Sequence, residues 1–209
     1  MKDVIYISHY VSRTHVLGPY ERSAFWVQGC PFNCDGCLSP EMRGVGGTAF
    51  DCRALAAELL SAGTEGVTIS GGEPFAQAGA AARVIASMRE RADRGLIVYT
   101  GYTYEELSRA GDADVAALLA ATDILVDGRY RIDLDDGRPY RGSSNQRVLR
   151  LSDRYDSVFD SYYNTPGGRR VEIDLGPGRV TLTGVPSAAA LKVWEKMRSI
   201  GGTLAQIAP

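Results

Sequence analysis

Apolar residues along the chain fall into two spacings, and glycine and proline mark the borders between them. Short apolar runs at Val4–Ser8, Ala24–Gln28, Gly66–Ser70, Leu96–Thr100, Ile124–Asp127, Gln146–Leu151, Arg170–Leu175 and Arg179–Thr183 read as strands. Between the second and the fifth, helical spacing appears at Asp51–Ser61, Phe75–Arg91, Tyr104–Arg109 and Asp112–Ala120. Asp51, Thr103 and Asp112 are suited to cap the starts of these helices, and Gly63 and Gly95 to stop them. Strands and helices alternating in one direction predict parallel βα units, because parallel neighbours need a crossover. From about Asp133 the pattern changes to strands separated by the turn signals Asp136-Gly137, Pro166-Gly167-Gly168 and Gly176-Pro177-Gly178. That predicts an antiparallel tail, closed by an amphipathic helix over Ala188–Ile200. Neither a repeat nor a linker interrupts the pattern, so the expectation is one α/β domain over residues 1–209 with a β-rich C-terminal flank.

Composition narrows the function classes. With 44% hydrophobic residues in 209, the chain can bury a sizeable core, which excludes disorder. Lys and Arg number 23 against 25 Asp and Glu, without an extended basic run, which argues against bulk binding to nucleic acid or an anionic membrane. No apolar stretch approaches the ~20 residues of a spanning helix. The start Met1–Tyr6 reads as a strand rather than a secretory signal. The expected compartment is therefore the cytoplasm, where cysteines serve metals or chemistry rather than disulfides.

The four cysteines are unevenly placed: Cys30, Cys34 and Cys37 form a C-x3-C-x2-C loop, and Cys52 stands apart. The loop follows the apolar run Ala24–Gln28 through Gly29, at the C-terminal end of a predicted parallel strand, where α/β sheets hold their ligands. The spacing is too tight for one helix face. In a loop it suits three thiolates around one corner of a cubane, leaving one iron without a protein ligand. A zinc site completed by Cys52, His9 or His15, and an electron-transfer cluster completed by Cys52, are the alternatives. Cys52 opens a helical run, where a lone cysteine is usually a small buried apolar residue, and neither histidine has ligand spacing. Three further strand ends carry glycine beside a polar residue: Gly71-Gly72-Glu73-Pro74, Thr100-Gly101-Tyr102-Thr103 and Asp127-Gly128. Adjacent glycines allow close backbone approach to a ligand, and Glu73 is a ready acceptor for an ammonium group. Their recurrence on one rim predicts a pocket lining. The basic stretch Arg138–Arg147 is either a docking surface for a partner or a solvated hairpin, and Trp194 is a core or docking anchor.

The motif Trp26-Val27-Gln28-Gly29-Cys30 through Cys37, followed by Gly71-Gly72-Glu73-Pro74, resembles the radical S-adenosylmethionine (SAM) superfamily. Gly101–Leu107, Asp123–Tyr130 and Tyr140–Arg147 are similar to its glycyl-radical activases that serve anaerobic ribonucleotide reductase, and the likeness spans roughly Ala24 to Arg150. Gly36, a small residue before the third cysteine, favours that branch. A stretch of the form Asp-Gly-Pro-Gly-x-Arg found in many such activases is matched here only at Gly18, Pro19 and Arg22. The resemblance implies a partial (β/α) barrel of the radical SAM type, with a core over about 20–150 and C-terminal strands and helix over 151–209. It also implies one [4Fe–4S] cluster on Cys30, Cys34 and Cys37, with SAM chelating the open iron. Gly71, Gly72 and Glu73 would hold the methionyl amino group; Thr100, Gly101, Tyr102, Asp127 and Gly128 would complete the SAM envelope, and the backbone near Gly36 and Leu38 would reach the adenine. The activity implied is reductive cleavage of SAM to a 5′-deoxyadenosyl radical, which abstracts hydrogen from a glycine of a partner, the anaerobic ribonucleoside-triphosphate reductase. A flavodoxin- or ferredoxin-type reductant would supply the electron. Modification of a peptide or another protein is the alternative chemistry, and a non-catalytic iron–sulfur or zinc module the alternative class.

Overall fold

The computed structural model describes residues 3–164, 168–176, 179–199 and 204–207. Seven strands, β1 (Val4–Thr14), β2 (Arg22–Val27), β3 (Thr48–Asp51), β4 (Gly66–Gly71), β5 (Gly95–Tyr99), β6 (Ile124–Asp127) and β7 (Arg147–Arg150), form one sheet in the order β3-β1-β2-β4-β5-β6-β7. The central β2, β4, β5 and β6 run parallel, as the alternating pattern predicts. The crossovers are α1 (Cys52–Ser61), α2 (Ala78–Arg89) and the pair α3 (Tyr104–Ser108) and α4 (Ala113–Ala121). On either side the sheet continues antiparallel, through β1 and β3 at one edge and β7 at the other. The architecture is thus mixed α/β, but β3 and β7 are free edges and the described residues form no closed barrel.

The central strands are buried on both faces, and their side chains alternate between two cores. Val67, Ile69, Leu96, Val98 and Leu125 point toward α1, α2 and α4, meeting Leu55, Leu59, Ala81, Val84, Ile85, Met88 and Leu118. Ile97, Tyr99, Ile124 and Val126 point the other way, onto Tyr140, Tyr155, Phe159 and Tyr163. The last three of these come from α5 (Asp156–Phe159) and a π-helical turn, Asp160–Asn164, which close off this inner face. Each large apolar side chain buried this way stabilises the fold by about 1.5–3 kcal/mol.

Local chemistry sets the helix starts. Asp51 accepts from the amides of Arg53 and Ala54, Asp112 from those of Asp114 and Val115, and Thr103 forms a capping box with Glu106. Each cap contributes roughly 0.5–2 kcal/mol. Gly63 takes a positive φ just after α1, as expected of a stop signal. Gly95 does not end a helix: α2 finishes at Arg89 and Gly95 opens β5, where a Cβ would collide with the Tyr155 hydroxyl. The helix expected over Phe75–Arg91 starts later, because Pro74–Gln77 forms a 3-10 turn capped by Glu73.

The first strand outruns its predicted end at Ser8. Bulges between Ile7 and His9 and between Val11 and Thr14 keep it paired with β2 although its polar residues break the alternation. In the tail, β8 (Glu172–Gly176) and β9 (Arg179–Thr183) are antiparallel. The expectation of a purely antiparallel tail fails at β10 (Leu204–Ile207), which lies parallel to β9, with α6 (Ala188–Ser199) as the crossover that this requires. Pro166-Gly167, Pro177-Gly178 and Ile200 lie outside the described residues. No helix among the described residues is long and apolar enough to cross a membrane.

Candidate functional site

At the C-terminal ends of β2, β4 and β5 an open cavity of about 750 Å³ is lined by Cys30, Cys34 and Cys37 on one side and by Ser70, Gly71, Gly72, Glu73, Tyr99, Thr100 and Gly101 on the other. The size is that of small-ligand sites. The cysteine loop is held at its base by backbone: the amides of Gly29 and Cys30 donate to the carbonyls of Met42 and Arg43, and that of Glu73 to Gly29. Phe32 anchors its middle. The ring meets Tyr102 edge-on at 4.7 Å, lies beneath the Arg129 guanidinium at 4.5 Å, and rests where a Cβ on Gly101 would be.

The glycine pair has a different purpose from the one the sequence suggests. A Cβ on Gly71 would strike the Val27 backbone at 2.4 Å and one on Gly72 the Gly29 carbonyl at 2.2 Å. The glycines therefore let the end of β4 close against the root of the cysteine loop, which sets Glu73 across the cavity from the thiols.

Glu73 is wholly buried and ringed by donors. One carboxylate oxygen accepts from the Phe75 amide at 2.9 Å and the Thr100 hydroxyl at 2.8 Å, the other from the Gly101 amide at 2.8 Å. Burial still raises its pKa to about 7, against the pull of these three hydrogen bonds, and among the described residues no cation pairs with it. Burial likewise pushes the Cys30 and Cys34 thiols up, with Arg129 and Arg43 partly offsetting the effect at Cys34. Loading metal on these thiols releases protons, so assembly of a cluster is favoured by rising pH.

Among the described residues no three His, Cys, Asp or Glu side chains are grouped to hold a single metal ion. Three thiols spread over one cavity wall match a cubane instead, where each thiolate binds its own iron. Cys52 is not in this wall. It is 1% exposed in the helix-side core, its thiol against the Ala80 carbonyl, as expected of a small apolar residue. His9 and His15 also lie elsewhere, on β1 and just beyond it, with His9 beside Trp26 and His15 near Glu21.

Of the other expected site residues, Leu38 and Gly128 line the cavity; Gly36, Tyr102 and Asp127 do not. Gly36 takes a positive φ under Ile132, and Tyr102 supports Phe32. Asp127 is spent internally: its carboxylate accepts from the amide of Tyr104 at the start of α3 and from Arg147, whose guanidinium also grips Glu105 and holds that carboxyl down at about 2. The stretch 138–147 is no solvated hairpin. Gln146 donates to the Gly128 carbonyl and accepts from the amides of Gly142 and Ser143, so that Gly142 and Gln146 become cavity wall. Arg169 ties the same wall to the tail through the carbonyls of Arg141 and Gly142, and Val185 completes it. Ser70 and Tyr99 went unnoticed in the sequence, although each is the last polar residue of a buried strand before a glycine-marked end.

The incomplete upstream motif lies at the opposite end of the sheet. Arg22, wholly buried at the start of β2, donates to Glu65 at 2.8 Å, Tyr155 at 2.7 Å, Thr68 at 2.9 Å and the carbonyls of Pro19, Val67 and Gly95. Gly18 leaves room there for Ile97. The matched residues seal the strand starts, and the mismatch at Tyr20 carries no message about substrate.

Comparison with known proteins agrees with this geometry. The family described as "4Fe-4S single cluster domain" matches residues 16–149. The anaerobic ribonucleoside-triphosphate reductase-activating protein of Enterobacteria phage T4 is 26% identical over 145 residues, covering 66% of this chain and 89% of that protein. Both findings support the resemblance to an activase-like radical SAM protein.

Proposed function

We propose, on the premise that this chain belongs to the 4Fe-4S single cluster domain family, that it is a radical SAM activating enzyme that generates a glycyl radical on a partner, an anaerobic ribonucleoside-triphosphate reductase. The observation that carries this is a buried carboxylate without a cation, Glu73, facing three free thiols across one cavity. Cys30, Cys34 and Cys37 would hold the [4Fe–4S] cluster. Bound together, cluster and SAM supply one-electron cleavage of the sulfonium and the hydrogen-atom abstraction that follows.

The chain's own residues orient and shield. Glu73, ionised by the approach of an ammonium group, holds the amino end of SAM beside the thiols, and its three donors fix the carboxylate plane. Phe32, Tyr130 and Val185 exclude water from the walls, and Gly128, Gly142 and Gln146 shape the far side. No side chain is asked to act as acid or base. A flavodoxin- or ferredoxin-type protein is the proposed electron source.

The test is anaerobic cluster reconstitution, reduction with dithionite and addition of SAM, reading 5′-deoxyadenosine and, with the reductase present, the glycyl EPR doublet. Cys34→Ala is expected to abolish product and Cys52→Ala to retain it. A fully loaded protein that forms no 5′-deoxyadenosine would overturn the proposal, and equal loss in both variants would make Cys52 a ligand.

A further inference from the structure

Two hydroxyl groups in the cavity have no partner in the protein. Tyr99 is 6% exposed, lines the cavity, and its hydroxyl is buried without a hydrogen bond. Ser70, 3% exposed, lines the same cavity, and among the described residues nothing bonds its side chain. The two belong together. β4 and β5 pair through Ile69 and Val98, so Ser70 and Tyr99 stand one step further along, side by side on the inner face. Adjacent strands lie roughly 4.8 Å apart, a separation that lets two hydroxyls serve one bound group. An orphaned buried hydroxyl destabilises the free protein, whereas a bound acceptor relieves that cost.

We propose that Tyr99 and Ser70 grip the main chain of the substrate glycine's segment, presenting its Cα to the radical; this rests on the function proposed above. A glycine offers no side chain to hold, so only its flanking amides can be positioned. Hydroxyls, which both donate and accept, suit an amide whichever edge it presents. The cationic end of SAM is provided for elsewhere, at Glu73, whose donors Thr100 and Gly101 are already engaged. The pair lies inward of that row, on the floor formed by the inner face of the sheet.

The experiment compares wild type, Tyr99→Phe and Ser70→Ala in the cluster-loaded, reduced enzyme with SAM and an anaerobic ribonucleoside-triphosphate reductase labelled with α,α-dideuterated glycine. Deuterated 5′-deoxyadenosine reports abstraction from glycine, and unlabelled product reports uncoupled cleavage. The ratio of the two is expected to fall about tenfold or more in Tyr99→Phe and less in Ser70→Ala. The Kd for SAM should change by less than about twofold, since a neutral hydrogen bond to SAM would cost more than that. Without SAM or reductase, Tyr99→Phe should melt roughly 2–6 °C higher than wild type, because it removes an unsatisfied hydroxyl. A residue serving structure alone would lower the melting point and leave the ratio unmoved, and either result overturns the proposal. A ratio lost only in step with SAM affinity also overturns it, by assigning the pair to the cofactor. Unlabelled product alone from wild type removes glycine as the substrate and the proposal with it. Absence of any 5′-deoxyadenosine from wild type is a different failure, that of the underlying function.

Discussion

The two ends of the parallel sheet each bury a charged side chain, and they treat it in opposite ways. At the strand starts, Arg22 is surrounded by Glu65, Tyr155, Thr68 and three carbonyls, so its charge and its donors are met from within the chain. At the strand ends, Glu73 receives three hydrogen bonds but no countercharge, and burial drives its pKa up to about 7. A buried charge that is fully paired is a structural device; one left half-answered points to a ligand that carries the missing charge. The same contrast separates Asp127, consumed by Arg147 and the start of α3, from Glu73 on a neighbouring rim.

Three substitutions or conditions probe this contrast. The largest effect on folding should come from Arg22→Met, which strips the sealed end and leaves Glu65 and the three carbonyls without their donor. A loss of about 3–5 kcal/mol is expected, read by urea or thermal unfolding. A loss below about 1 kcal/mol would make the knot incidental. Glu73→Gln should do the reverse at the open end. It keeps the volume and removes the uncompensated charge, so stability at pH 8 should be unchanged or higher while SAM affinity falls roughly 30-fold or more, measured by titration of the reconstituted enzyme. Loss of stability without loss of SAM affinity would place Glu73 with Arg22 as a structural charge.

The third probe is pH. The folded pKa of Glu73, about 7, lies above the ordinary value of 4.5, so the folded state binds the extra proton more readily than the unfolded chain. Its contribution to stability is therefore complete below about 4.5 and is lost as pH rises toward 7, by about 3 kcal/mol in total before levelling off. In SAM-free apoprotein, unfolding followed from pH 5 to 8 should show this decline in wild type and a flatter profile in Glu73→Gln. Parallel profiles would mean the carboxylate is already ionised throughout that range.

Smallest is Asp127→Asn. Because Asp127 faces Arg147 and the α3 amides rather than the cavity, it should lower stability by about 1–3 kcal/mol with little change in SAM affinity. A selective loss of SAM affinity would return Asp127 to the binding site.

Much of this molecule is visible to a reader of the sequence, and the parts that are not share a cause. Asp51, Thr103 and Asp112 cap helices through amides two or three residues away, so their role is local. Gly95 was misassigned because its restriction comes from Tyr155, distant in sequence. The 138–147 stretch looked like a basic hairpin, since nothing nearby reveals that Gln146 reaches back to Gly128 and that Arg169 clamps Gly142. β3 and β10 are short and borrow their order from neighbours rather than from their own periodicity.

What the sequence by itself determined is therefore everything written in short-range spacing. It set the alternation of strands and helices, the helix starts, and a three-cysteine loop at a strand end with Gly71-Gly72-Glu73 on the next. Only the tertiary structure decided which polar groups are satisfied and which remain available. It left the sheet open, enclosed Arg22, tied Asp127 to Arg147, turned the glycine pair into a backbone contact, and left Glu73, Ser70 and Tyr99 facing one cavity. The physical reason is that a hydrogen bond or ion pair needs its partner within about 3–4 Å. Which partners come that close is fixed by strand order and by packing between segments far apart in the chain.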